Sequence, residues 1–248
     1  MSKSQAVEHL SAQISYNQQI AARVEHADPQ LRARLNELQQ WQRARLDATY
    51  ADLRQDPRYR PACDFFLDEL YGGRDVHERD RQLTRVVPVM RRFLPAHLLK
   101  AVGDAVQLQA VSLEFDLDLA EILLEDCELS QPAYSRAYRT HGMWQARDYQ
   151  LVLIAKLGEL LDETVQRPMV HRLIRVMHGP AVMAGFGALQ EFLRRGLDAF
   201  KQLKGAEYFL TTIEQRERKA LDSIREGSDW PFAEWIGKGP DWSAGAEE

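Results

Sequence analysis

The sequence predicts an all-α protein: a multi-helical bundle of about eight or nine helices that opens with an N-terminal helical hairpin. Three observations predict it. Apolar residues recur at three- and four-residue spacing along most of the chain. No sustained period-two run bounded by turn residues occurs, so no strand is expected. Asp28-Pro29, Gly72-Gly73 and Gly179-Pro180 interrupt the apolar periodicity as stop and start signals do.

The first helix carries Val7, Leu10, Ile14, Ala21 and Val24 as its stripe, with Asn17 in the same seam. Asp28 can accept hydrogen bonds from the N–H groups of a following first turn. Pro29 has the fixed φ and missing donor that suit a first helical position. Leu31, Leu35, Leu38, Leu46, Tyr50 and Leu53 stripe the second helix, expected to run to about Asp56. Residues 1–56 therefore read as a hairpin. Two helices cannot bury both stripes by themselves, so the hairpin must dock on the rest of the chain or on a second copy.

Residues 57–226 read as the helical core of the same domain. Phe65, Phe66, Leu67, Leu70 and Tyr71 form its densest apolar cluster, stopped by Gly72-Gly73 because glycine takes the left-handed conformation without strain. A helix restarts at Asp75 and contains Pro88, which removes a backbone donor and predicts a kink near Val87. Pro95 opens a long helix with Leu98, Leu99, Val102, Val106, Leu108, Val111, Phe115, Leu119 and Ile122 inward, expected to end near Asp126. Ser130-Gln-Pro132 starts a short helix with Tyr134 and Tyr138 that stops at Gly142. Helices follow at about Trp144–Val165 and Pro168–Met177, then one beginning at Ala181, where Ala181, Ala184, Gly185 and Ala188 share a face. The last runs from about Ala206 to Ile224. Residues 227–248 form a Gly/Pro-rich tail with Trp230, Phe232, Trp235 and Trp242. Disordered tails lack aromatics, so this one is expected to lie across the helical body in preference to serving as an interaction peptide.

The composition is that of an ordinary globular protein, 45% apolar and 28% charged over 248 residues. The net charge of −5 weighs against a nucleic-acid binder. Fourteen of the 25 arginines precede residue 93, whereas residues 101–135 hold no Lys or Arg but eight Asp and Glu. The simplest reading has these segments facing each other or water. No apolar run approaches the length of a membrane span, and the early Glu8 does not suit a secretory signal. Cys63 and Cys127, far apart in helix-like contexts, suit reduced thiols, so a cytoplasmic location is expected.

Three constellations could carry chemistry. Glu114, Asp118, Glu121 and Glu125 are spaced 4, 3 and 4, which aligns four carboxylates on one helix face, as in bundle proteins that hold iron or manganese. None of the seven histidines stands three residues after a Glu, so the partner motif of such sites is missing and a solvated or Arg-paired face is the leading expectation. Gly185 and Gly187 lack the third glycine and preceding strand of a phosphate loop. With Met183, Phe186 and His178 they outline instead a pocket for a flat or apolar ligand. Asp64 and Asp68 share a face and are expected to pair with arginines beyond the Gly-Gly corner. No Gly-x-Ser-x-Gly elbow or Cys-x-x-Cys pair occurs, no residue is assigned a catalytic role, and no cofactor is named.

The run Phe65-Phe-Leu-Asp-Glu-Leu-Tyr-Gly72, with Arg79-Asp80 downstream and a later Gly185, Phe192-Leu193 and Ala199-Phe200, resembles a family of uncharacterised bacterial all-helical proteins over roughly residues 60 to 220. That resemblance implies the helical fold and supplies no activity. The expected function is a cytosolic binding or assembly protein without catalysis, a homodimer through the seam of residues 7–53, with a protein partner at the aromatic tail as a further expectation. The alternative is a helical-bundle enzyme or sensor holding a metal or apolar cofactor between helices.

Overall fold

Ser2 starts the first helix, α1 (Lys3–His26): its hydroxyl accepts from the Gln5 N–H and the Gln5 side chain accepts from the Ser2 N–H at 2.8 Å, a reciprocal cap. The computed structural model describes residues 1–71, 85, 87–92, 94–126, 128–167, 170 and 185–239. Ala6, Leu10, Ile14, Asn17 and Ile20 are buried on α1, so its stripe sits slightly to one side of the expected Val7 and Ala21. Asp28 then caps α2 (Pro29–Thr49) by accepting from the Leu31 N–H at 2.9 Å, with Pro29 at the expected first position. The expected single helix to Asp56 is interrupted: Tyr50 leaves helical geometry at φ −110°, ψ 21°, and α3 (Ala51–Gln55) follows.

Next come α4 (Arg60–Tyr71) and a helical stretch at 87–92 that includes Pro88. The Gly72-Gly73 stop, the Asp75 restart and most of the expected Pro168–Met177 helix lie outside the described residues. α5 (Ala96–Ile122) ends four residues before the expected Asp126. α6 (Gln131–His141), capped by Ser130 with Pro132 in its first turn, stops at Gly142 as expected. Gly142 and Met143 both take positive φ, 67° and 54°, and turn the chain into α7 (Trp144–Val165). α8 (Gly187–Leu203) follows a turn in which Gly185 has φ +80°, so Gly185 does not share a helix face with Ala188 as expected; residues 181–184 lie outside the described residues. α9 (Glu207–Arg225) and the single turn α10 (Ala233–Ile236) complete the chain. No strand occurs among the described residues.

α5 is the central element: α1, α2, α6 and α7 all pack on it. The α1–α2 hairpin does dock on the rest of the chain, and its two stripes reach different parts of α5. Leu10 and Ile14 meet Leu99 and Val106, whereas Leu35, Leu38 and Trp41 meet Leu117, Leu119 and Leu123. Burial of each such leucine stabilises the fold by about 1.5–3 kcal/mol. α8 and α9 close the far side around Phe200, Leu203 and Phe209, against Tyr59 and Cys63 of the α4 region. Helices pack closely at Gly103 and Gly158. A Cβ on Gly103 would lie 3.3 Å from the Leu10 Cα of α1, and one on Gly158 would lie 2.3 Å from a methyl of Leu210.

Candidate functional site

The aromatic tail folds back on the body. Trp41 and Arg45 are one turn apart on α2, and Gln131, Tyr134 and Tyr138 line one face of α6. Between them sits Phe232, 2% exposed, with its ring centroid 6.3 Å from Trp41 and 6.0 Å from Tyr134. The Arg45 guanidinium lies 4.4 Å from the Phe232 centroid, a cation over a ring face. Arg45 is itself buried and donates to Glu217 at 2.6 Å, which also accepts from the Tyr50 hydroxyl at 2.8 Å. Burial, reinforced by Glu217, pushes the Tyr50 phenol well above its usual range.

The backbone of the tail is gripped as well. The Gln131 side chain accepts from the Phe232 N–H at 3.1 Å and donates to the Gly237 carbonyl at 2.8 Å. Arg139 donates to the Ser228 carbonyl at 2.9 Å and to Asp229 at 2.7 Å, while Lys219 pairs with Glu234. Trp235 and Ile236 pack on the same core. The described part of the tail, to residue 239, therefore lies across the helical body.

A polar ladder adjoins this box through Tyr138, whose ring centroid is 4.6 Å from that of Tyr134. Arg147, 3% exposed, lies 3.6 Å from the Tyr138 centroid and 4.6 Å from that of Phe115. It donates to His141 Nδ1 at 2.9 Å, which leaves the imidazole proton on Nε2, facing Asp118 at 3.3 Å. Burial, then the Arg147 charge, holds the His141 pKa below its usual value. Asp118 also accepts from Arg23 of α1 at 2.9 Å. Arg23 reaches Glu114 at 3.3 Å, and Glu114 accepts a short hydrogen bond from the Tyr16 hydroxyl. One residue from Phe115, Asp116 turns toward α2, accepting from Gln42 at 2.8 Å and Gln39 at 3.3 Å. Burial raises its pKa to about 6; the two amides and the Arg147 charge oppose the rise.

The four aligned carboxylates thus part company. Glu114 and Asp118 meet Arg23, Tyr16 and His141, so the arginine-rich and acidic segments do face each other here. Glu121 is exposed, and Glu125 lies past the end of α5 and is also exposed. Among the described residues no group of three or more His, Cys, Asp and Glu is arranged to hold a metal ion.

At the expected pocket, Gly185 faces the Arg85 guanidinium, 3.7 Å from where a Cβ would stand. Arg85 also covers the Phe186 ring at 5.6 Å. Phe186 packs on the cluster of Leu10, Leu99 and Leu189, and Gly187 is the first residue of α8. His178 and Met183 lie outside the described residues. Asp64 forms an ion pair with Arg54, and Asp68 with Arg43 and Arg195; the arginines of the corner lie outside the described residues. The Cys63 thiol is buried, which pushes its pKa up to about 12 and keeps it protonated.

Sequence reasoning passed over Arg45, Asp116, Gln131 and Arg147, the residues that tie this region together. Gln131 contacts a residue 101 positions away, and no local spacing marks such a pairing.

No helix among the described residues is long and apolar enough to cross a membrane. No curated protein and no solved structure matches the chain. The family model described as Domain of unknown function (DUF8198) matches residues 21–231, most of the chain, and the protein belongs to that family.

Proposed function

We propose that the protein is a non-catalytic binding or assembly module, a helical scaffold that recognises protein segments and pairs with a second copy. The observation that carries this reading is the grip on the tail: a ring set among Trp41, Tyr134 and Arg45, with the backbone held at two points by Gln131. Aromatic and arginine side chains around a buried ring, with hydrogen bonds to the backbone beside it, are how protein surfaces recognise peptide segments. The ladder supports the same reading. Glu114, Asp118 and His141 are each engaged by Tyr16, Arg23 or Arg147 of the chain itself, which suits a structural tie between α1 and the body better than a reacting centre. The seam of residues 7–53 is covered within the chain, by α5 along α1 and the first part of α2 and by the cluster around Phe200 and Phe209 at Tyr50 and Leu53, so the tail region is the better place for contact between copies.

Native mass spectrometry of the full chain over a range of concentrations tests this. A dimer at twice the bare chain mass is expected. A monomer at every concentration overturns the pairing. A reproducible added mass matching a metal ion or small molecule favours the cofactor-holding alternative.

A further inference from the structure

We propose that the Trp41–Arg45–Gln131–Tyr134 box is a docking site shared between copies of this chain, in which the Phe232 segment of one copy fills the box of another. The inference rests on the binding-or-assembly reading above and names its partner.

The segment depends on the box for its order. α10 is one turn of four residues, far below the roughly 12–15 residues at which an isolated helix becomes marginally stable in water. Its anchors all lie on other elements: Gln131 and Arg139 on α6, Trp41 and Arg45 on α2, Lys219 on α9. Such a set of contacts transfers intact to a second copy, which is why exchange of a terminal element is a low-cost route to a dimer. The link to α9 suits it. Gly227 has φ +97°, and Arg225, Glu226 and Gly227 are exposed, so the chain can leave α9 in another direction without opening the core.

The chemistry of the site is specific to this segment. Asp229 and Glu234 meet Arg139 and Lys219, so acidic groups on the tail face basic groups on the body on both sides of Phe232. The box also lies within the region shared with the family, residues 21–231, whereas Phe232, Trp235 and Gly237 fall beyond it. The receiving surface and the acidic start of the segment, Asp229, lie within the matched region, and Phe232 is the first residue past it. Within one chain the tethered segment competes at an effective concentration on the order of millimolar. Exchange is therefore favoured by high protein concentration, and once two tails cross, both boxes are filled again.

The test uses two full-length variants at an exposed pair, Lys219→Cys in one and Glu234→Cys in the other, at positions 62% and 56% exposed. After incubation together at high concentration, a short bismaleimide is added, with wild-type chain treated in parallel to score the native thiols. A cross-linked heterodimer above that background is expected, and it is expected to be lost when the Glu234→Cys chain also carries Phe232→Ala. The double variant Lys219→Cys/Glu234→Cys reports tail docking in either arrangement. Cross-linking of the double variant as monomer alone, with no heterodimer from the mixture, overturns the exchange. A dimer by native mass spectrometry without the heterodimer cross-link leaves the assembly reading standing and overturns only the exchange.

Discussion

The Gln131 side-chain oxygen accepts the backbone N–H of Phe232 at 3.1 Å, and both residues are 2% exposed. The bond joins the first turn of α6 to the aromatic tail, and the other end of the same amide donates to Gly237. A single buried side chain therefore satisfies two backbone groups of a segment too short to satisfy its own.

Gln131→Leu removes both bonds and leaves a buried N–H and a carbonyl without partners, at a cost of about 1–3 kcal/mol for each group that stays buried. The tail is expected to release before the domain unfolds, since its order depends on that grip. Hydrogen exchange of residues 229–237 is expected to accelerate while the helices of the body keep their protection. Phe232→Ala is expected to do the same with a larger loss, about 3 kcal/mol, because a buried ring leaves a cavity or opens the box to water. Unchanged exchange in both variants would show that the tail is held by something other than Gln131 and Phe232.

Asp116 and His141 give the stability a pH dependence with two opposing parts. The folded protein raises the Asp116 pKa from 3.8 to about 6 through burial, so between those values it binds a proton that the unfolded chain releases. The Asp116 contribution is complete below 3.8 and is lost as pH rises through about 6. The folded His141 pKa lies below 6.5, so its contribution is complete above 6.5 and is lost as pH falls below that value. Asp116→Asn is expected to stabilise the protein at pH 7 by about 1–3 kcal/mol, with the gain shrinking toward pH 4. His141→Gln is expected to flatten the acid side of the profile. Urea midpoints across pH 4–8 measure both, and an Asp116→Asn effect independent of pH would show that its carboxyl titrates normally.

Gly103 and Gly158 separate backbone contact from side-chain contact at a helix crossing. An alanine in place of either glycine raises helix propensity by about 1 kcal/mol. At Gly103 the added methyl meets the His9 ring at 2.6 Å and the Leu10 Cα at 3.3 Å, and His9 is held to Asp104 at 2.8 Å. The crossing of α1 and α5 must then widen, at about 1–3 kcal/mol, so Gly103→Ala is expected to be net destabilising. At Gly158 the obstacle is the end of the Leu210 side chain, which can change rotamer. Gly158→Ala is expected to cost less, and Leu210→Ala in the same chain to relieve the clash. Thermal unfolding of the single and double variants decides it; equal losses at Gly103 and Gly158 would remove the distinction.

Most helices were legible because their signals are local. Asp28-Pro29, Ser130-Gln-Pro132 and Gly142 act on hydrogen bonds within a few residues of themselves, and each stands at the helix boundary it predicts. The misjudged boundaries have causes of another kind. Tyr50 interrupts the second helix without a glycine or proline, and its hydroxyl is bound to Glu217 of α9, a partner 167 positions away. Gly185 looked like part of a small-residue helix face because spacing alone cannot distinguish a glycine in a helix from one at φ +80°.

The site was legible only in fragments. Glu114 and Asp118 stood out by their spacing, and the tail by its aromatics. Helical periodicity reports which side chains share a face, and it carries no information about what another helix brings to that face. By itself the sequence determined an all-helical chain, its caps and breaks, and an aromatic tail with reason to be buried. Only the tertiary structure decided that Arg23 reaches Glu114 and Asp118, that Glu125 lies past the end of its helix, and that Gln131 holds Phe232. These pairings span 91 to 101 residues. They follow from packing α1, α2 and α6 around α5, where buried polar groups must find partners from whichever helix lies opposite.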